Sequence, residues 1–177
     1  MTSSPLGLEC KGFPLATRLT ICSVHDLPLV THRHPSHVIG ILDPDYSKPK
    51  VPRSTSSLDL RFHDVINQQQ GLRPPAPFDI QRLLEFGSRL PDPKSQPTHL
   101  VVYCHAGISR STAAVILLLA QAQKEQSANS FVARVCQIQP MALPNRLMVE
   151  IGDDLLKLKG QLISAVNKLY ADIEGRF

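Results

Sequence analysis

The sequence predicts an α/β fold with a mainly parallel central sheet flanked by helices. Three observations carry this prediction. Short β-branched runs alternate with helix-spaced segments through the first two thirds of the chain, and the chain then closes on successive helices. One long helical stretch is apolar nearly all round, which marks it as buried. The composition, 42% apolar and 19% charged, is that of a globular protein. Its 177 residues suit one domain spanning 1–177 with a core of its own.

Residues 1–17 mix Ser, Pro and Gly without periodicity and predict a loose N-terminal arm. Leu19–Val24 reads as a first strand. Asp26–His34 reads as a short helix stopped by Pro35, and His37–Leu42 as a buried strand ending at the turn Asp43-Pro44-Asp45. A Ser-, Pro- and Lys-rich loop over 46–57 follows. Leu58, Leu60 and Phe62 alternate with polar residues, as a half-buried strand requires. Phe78, Ile80, Leu83, Leu84 and Phe86 recur at helical spacing until Pro91–Pro97 ends the pattern. His99–Tyr103 is the next strand. The all-apolar helix runs from Arg110 to about Gln123. Three more helices are predicted, over Asn129–Gln139, Arg146–Leu158 and Gln161–Asp172, with Pro140 and Pro144 between the first two.

The net charge of +4 suits an anionic substrate but is too small to argue for nucleic acid. Four cysteines, Cys10, Cys22, Cys104 and Cys136, stand far apart with no Cys-x-x-Cys pair, which reads as free thiols in a reducing compartment. The longest apolar run, Ala113–Ala120, is too short to span a bilayer, and the N-terminus lacks a basic start followed by an apolar core. These features give a cytoplasmic expectation and no membrane span.

The chain is organised around Leu100–Thr112. A β-branched run ends at Cys104, five residues lead to Arg110, Ser111 follows, and the apolar helix starts at once. Strand, tight loop and helix N-terminus together turn backbone N–H groups inward and hold an anion. Arg110 in a first helical turn opposes the helix dipole unless an anion is nearby. The stretch Cys104-His105-Ala106-Gly107-Ile108-Ser109-Arg110-Ser111 resembles the signature of the cysteine-dependent protein phosphatases. It is closest to the compact tyrosine and dual-specificity branch, whose loops read Cys-x-Ala-Gly-x-Ser-Arg-Ser. The resemblance covers roughly residues 19–160 and implies a phosphatase-like three-layer sandwich. It departs from the family at Tyr103, where most members have His, and the consequence expected is one of tuning. His105 stands in view as a partial substitute.

The resemblance implies that Cys104 attacks phosphorus and forms a phosphocysteine, that Arg110 grips two phosphoryl oxygens, and that Ser111 assists the sulfur as leaving group. The backbone N–H groups of His105, Ala106, Gly107, Ile108, Ser109 and Arg110 would hold the equatorial oxygens. The family also supplies a general acid, an Asp from a separate loop. Asp43, Asp45, Asp59, Asp64 and Asp79 are the candidates. Asp59 lies within a strand and is expected to be solvated, and Asp79 is accounted for by a helix first turn. Asp64 follows a strand and opens a long loop, near the strand C-termini where α/β sheets bind ligands. It is therefore preferred, with Asp43 second.

The implied function is hydrolysis of phosphate monoesters on protein tyrosine, with Ser and Thr left open. A phosphoinositide or small-molecule phosphatase and a non-catalytic phospho-residue binding module are the alternatives. Lipid-specific members carry Lys inside the loop, and this loop holds only His105. No cofactor and no metal is expected, because Pro35 interrupts His32, His34 and His37. Lys48, Lys50 and Arg53 read as a solvated basic loop, and Pro144-Asn145-Arg146 resembles a Pro-Asn stretch that supports the loop in family members. The expected partner is a phosphorylated protein or peptide, with no nucleic acid, and the oligomeric state is left open.

Overall fold

The structure is a computed structural model and describes residues 10–13, 15–52 and 55–175. Its centre is a five-stranded sheet of β1 (Cys10–Phe13), β2 (Ala16–Ser23), β3 (His37–Leu42), β4 (Ser56–Arg61) and β5 (His99–Cys104). The spatial order is β1-β2-β5-β3-β4. The pairs β2·β5, β5·β3 and β3·β4 are parallel, and β1 alone runs antiparallel, on the edge beside β2. This is the mainly parallel sheet that the sequence predicts.

The loose arm expected through residue 17 is corrected from residue 10 onward. Cys10–Phe13 pairs with β2, and β2 already begins at Ala16. An edge strand of four residues is held by backbone bonds and is too short to show a period-two pattern. Residues 1–9 lie outside the described residues.

The helices are α1 (Leu27–Thr31), α2 (Pro77–Ser88), α3 (Arg110–Ala122), α4 (Ala128–Ile138), α5 (Arg146–Leu155) and α6 (Gln161–Glu174). They cover the two faces of the sheet unequally. Most of the core lies on one side, where Leu19, Ile21, Ile39, Leu60, Leu100 and Val102 meet α2 to α6. On the other side, among the described residues, α1 and Val51 cover Cys22, Val38, Val101 and Tyr103. Ala113–Leu119 of α3 are all fully buried, so α3 is the central pillar of the thick layer. β5 is buried at all six positions, as a central parallel strand must be. Among the described residues no helix is long and apolar enough to cross a membrane.

Asp43 follows β3, Asp64 lies beyond β4, and Cys104 ends β5. Parallel strands put all three at one edge of the sheet, the C-terminal edge where open α/β sheets bind ligands.

Candidate active site

The loop from Cys104 to Arg110 starts from the central strand and ends in the pillar helix, so both of its ends are immobilised by burial. Cys104 is 1% exposed. Its Sγ accepts from the Gly107 N–H at 3.2 Å and lies 3.3 Å from Ser111 Oγ. Gly107 has φ +72°, and a Cβ there would lie 2.6 Å from the carbonyl carbon of Cys22. Only glycine combines that backbone angle with so close an approach to β2.

The outer side of the loop is tied down at several points. Ile108 O accepts from Leu143 N at 3.0 Å, and Gly107 O from Gln139 Nε2 at 3.0 Å. Thr112 Oγ1 donates to Ile108 O and Ser109 O. The carbonyls are thus spent outward. Among the described residues no group accepts from the N–H of His105, Ala106, Ile108 or Ser109. A loop whose acceptors are satisfied and whose donors are left over is a cradle for an anion.

Arg110 is buried, and its guanidinium is divided between two tasks. Nη1 donates to Asp43 Oδ1 at 2.7 Å and to Phe62 O at 2.6 Å. That uses both Nη1 protons. Nε is buried without a hydrogen-bond partner, 3.8 Å from Asp64 Oδ2. The edge carrying Nε and Nη2 is left to bind, and that edge matches two oxygens of a phosphoryl group.

Asp64 is held through one oxygen. Its Oδ1 accepts from Ser109 Oγ at 2.7 Å and from Asn145 Nδ2 at 2.8 Å. Asn145 also reaches Val65 O and, as N-cap of α5, accepts from Met148 N at 3.0 Å. Asp64 Oδ1 thus joins the Cys104–Arg110 loop, through Ser109, to the buried Asn145 amide. Asp43 differs, because both of its oxygens face cationic or ring nitrogen. Oδ1 meets Arg110, and Oδ2 lies 3.2 Å from His105 Nε2. When Nε2 carries a proton it donates to that carboxylate, and otherwise it accepts from the Asp43 N–H at 3.4 Å. The Tyr46 ring meets His105 edge-on at 4.7 Å.

The other side chains singled out in the sequence have partners of their own. Asp59 is not simply solvated but pairs with Arg61 at 3.0 Å, and Arg61 in turn donates to Asp43 O and Tyr46 O. Asp79 is buried and takes Arg73 at 2.9 Å on both oxygens, while its Oδ2 also accepts from Ala76 N. Arg73 donates to Arg61 O and pairs with His63 through the backbone, so Asp79 anchors the base of the loop that carries Asp64. Tyr103 does not turn toward the phosphate loop. Its ring lies on the thin face over Gly40, and burial pushes its phenol up to about 12. His105 is turned to Asp43 and Tyr46 and so does not stand in for the absent histidine. His32, His34 and His37 form no metal-binding cluster among the described residues.

Roles for Asp43, Ser109 and Asn145 around Arg110 and Asp64 are not apparent in the sequence. The contacts join residues 45 to 81 positions apart. The one local signal is the Pro144-Asn145 pair.

Burial pushes the Cys22 thiol up to about 12, with Asp26 and Cys104 adding to the effect, and it also raises Cys136. In both cases burial disfavours the thiolate.

No protein-family model matches the sequence, and no curated protein matches it. Solved structures do match by fold. Human DUSP28 superposes with a TM-score of 0.58 at 15% identity, over 93% of this chain and 99% of that one. The human tyrosine phosphatase-like serine/threonine/tyrosine-interacting protein gives 0.58 at 19% identity, over 80% and 92%. The Yvh1 phosphatase domain from Chaetomium thermophilum gives 0.54 at 17% identity, over 81% and 93%. The chain therefore has the fold of the cysteine-dependent protein phosphatases.

Proposed function

We propose that the chain hydrolyses phosphate monoesters on protein tyrosine, and on Ser or Thr where they fit the same cradle, through a phosphocysteine intermediate. The observation that carries this reading is the division of labour on Arg110. Nη1 is spent on Asp43 and Phe62 O, Nε is buried without a hydrogen-bond partner, and four N–H groups of the loop that leads to Arg110 have no acceptor among the described residues.

In the first step the Cys104 thiolate forms an S–P bond as the P–O ester bond breaks. Arg110 and the loop N–H groups take the charge on the equatorial oxygens. The leaving oxygen takes a proton from Asp64, whose Oδ2 is the oxygen not held by Ser109 or Asn145. In the second step Asp64 accepts a proton from water, the water oxygen bonds to phosphorus, and the S–P bond breaks. Ser111, at 3.3 Å, donates to the departing sulfur. The phosphoryl group moves through protein groups alone, so the mechanism requires no metal.

The fold does not by itself distinguish an enzyme from a binding module, since one structure that shares it is named as a phosphatase-like interacting protein. Cys104 and Arg110 are what favour turnover. The test is hydrolysis of para-nitrophenyl phosphate with and without chelator, followed by a phosphopeptide panel. The expected result is chelator-resistant turnover that Cys104→Ser abolishes while vanadate still binds. Substantial activity in Cys104→Ser overturns the covalent route, and phosphate binding without turnover in the wild type makes the chain a binding module.

A further inference from the structure

The large apolar side chains left exposed among the described residues are Leu29, Tyr46, Ile66, Phe78, Met141 and Leu143. Single exposed apolar residues are ordinary, and only a cluster points to a ligand or partner. Ile66, Met141 and Leu143 belong to two loops, β4–α2 and α4–α5, and both loops are bonded to the phosphate cradle.

Each of the three is placed by a short run of bonds. Leu143 N donates to Ile108 O at 3.0 Å. Met141 N donates to Gln139 Oε1 at 3.3 Å, and Gln139 Nε2 donates to Gly107 O at 3.0 Å. Ile66 follows Val65, whose carbonyl accepts from Asn145 Nδ2 at 3.3 Å, and Asp64 just before accepts from Ser109 Oγ. Ile66 is 55% exposed and Met141 69%, so neither is spent on the core.

These two loops are also uncharged. Residues 65–72 and 139–145 hold no Asp, Glu, Lys or Arg. The exposed cations Lys48 and Lys50 belong to a different loop, between β3 and β4, beyond the Tyr46 ring that meets His105. A phosphorylated residue seated in the cradle carries its chain neighbours outward at about 3.5 Å per residue. Its first few neighbours are therefore the groups that come within reach of Ile66, Met141 and Leu143.

We propose that Ile66, Met141 and Leu143 form a specificity surface, which selects phosphorylated segments with a bulky apolar residue within three positions of the phosphorylated one. The inference rests on the phosphatase reading for the kind of substrate and extends it to the residues beside the phosphate. An apolar flank removes apolar area from water on both sides of the contact. An acidic flank finds no cation on these loops and gives up hydration without a partner.

The test is fluorescence polarisation with two labelled phosphotyrosine peptides that differ only in their flanks, Leu in one and Glu in the other. The Cys104→Ser protein is used for binding, and kcat/KM is measured on the same peptides with the wild type. The expected result is about tenfold tighter binding of the Leu-flanked peptide, the worth of burying part of one such side chain. Met141→Gln and Ile66→Gln, each added to Cys104→Ser, reduce that preference to about threefold or less. The readout is the ratio between peptides, because a variant that merely loosens the fold or the phosphate grip weakens both alike. Equal or tighter binding of the Glu-flanked peptide, binding of neither, or a preference unchanged in both variants overturns the proposal. The ratio comes from binding, so it fails separately from turnover: a wild type that shows the preference and hydrolyses neither peptide refutes the phosphatase reading and keeps the surface.

Discussion

Asp64→Asn separates the two carboxylates that flank Arg110. The amide keeps an oxygen in the Oδ1 position, so the bonds from Ser109 at 2.7 Å and Asn145 at 2.8 Å survive and the loop stays in place. What is lost is the proton that Oδ2 would deliver. General acid assistance is worth ~10²–10⁴-fold, about 3–5 kcal/mol at 1.36 kcal/mol per tenfold. That loss should fall on substrates with poor leaving groups, such as phosphotyrosine peptides, and should nearly vanish for aryl phosphates with several electron-withdrawing substituents. The alkaline limb of the pH–rate profile should flatten, because it reports the acid losing its proton. Asp43→Asn should act differently. It preserves an acceptor for Arg110 Nη1 but removes the charge, which weakens one hydrogen bond by roughly 1 kcal/mol. Its few-fold effect should be the same for all leaving groups and should leave the alkaline limb intact. The assay is steady-state kinetics over a leaving-group series with both variants. Equal slowing of every substrate by Asp64→Asn, with leaving-group dependence appearing in Asp43→Asn, would refute the assignment and move the acid to Asp43.

Three further outcomes follow from the geometry. Arg110→Lys should lose roughly 10²-fold or more in kcat/KM, since lysine cannot hold Asp43 and Phe62 O while also presenting a planar fork; a near-wild-type rate would mean that the fork does not meet the phosphoryl group. Gly107→Ala should lower the denaturant midpoint far more than Gly71→Ala, because both have positive φ, +72° and +75°, but only Gly107 has backbone against its missing Cβ; the left-handed cost alone is about 1–2 kcal/mol, so equal losses would mean that the close approach relaxes freely. His99 has a folded-state pKa of about 4 against 6.5 unfolded, so the unfolded chain binds more protons between those values. The stability that neutral His99 contributes should be complete above pH 6.5 and lost as the pH falls toward 4, and His99→Gln should flatten that part of the stability–pH curve.

The fold was legible because its signals are local. β3 is predicted residue for residue, and α3 to within one residue at its C-terminal end, since continuous apolar runs bounded by a turn or by the loop leave little choice. The phosphate loop was legible for the same reason, as eight consecutive residues fix its spacing. What the sequence could not show is which side chains hold the catalytic ones. Asp43 reaches Arg110 across 67 positions and Asn145 reaches Asp64 across 81, and no pattern of period two or 3.6 encodes such pairs. β1 was missed because four residues on an edge carry no periodicity.

Tyr103 shows how a local rule bears on function. Consecutive strand residues point to opposite faces, so a residue next to Cys104 must face away from the layer that Cys104 faces. Cys104 belongs to the thick core under α3, and Tyr103 to the thin face with Cys22 and Val101. The ring folds over Gly40, where no side chain competes for the space, and its hydroxyl has Asp59 and Arg61 as charged neighbours. Tyrosine therefore does not replace histidine in the cradle. It fills the sheet face beneath the turn at Asp43, the residue that fixes Arg110. Arg61, one of those charged neighbours, donates to the carbonyls of Asp43 and Tyr46. Arg110 Nη1 is held from the β3–β4 side of the sheet, by Asp43 and Phe62 O, while Tyr103 packs on the face opposite Cys104.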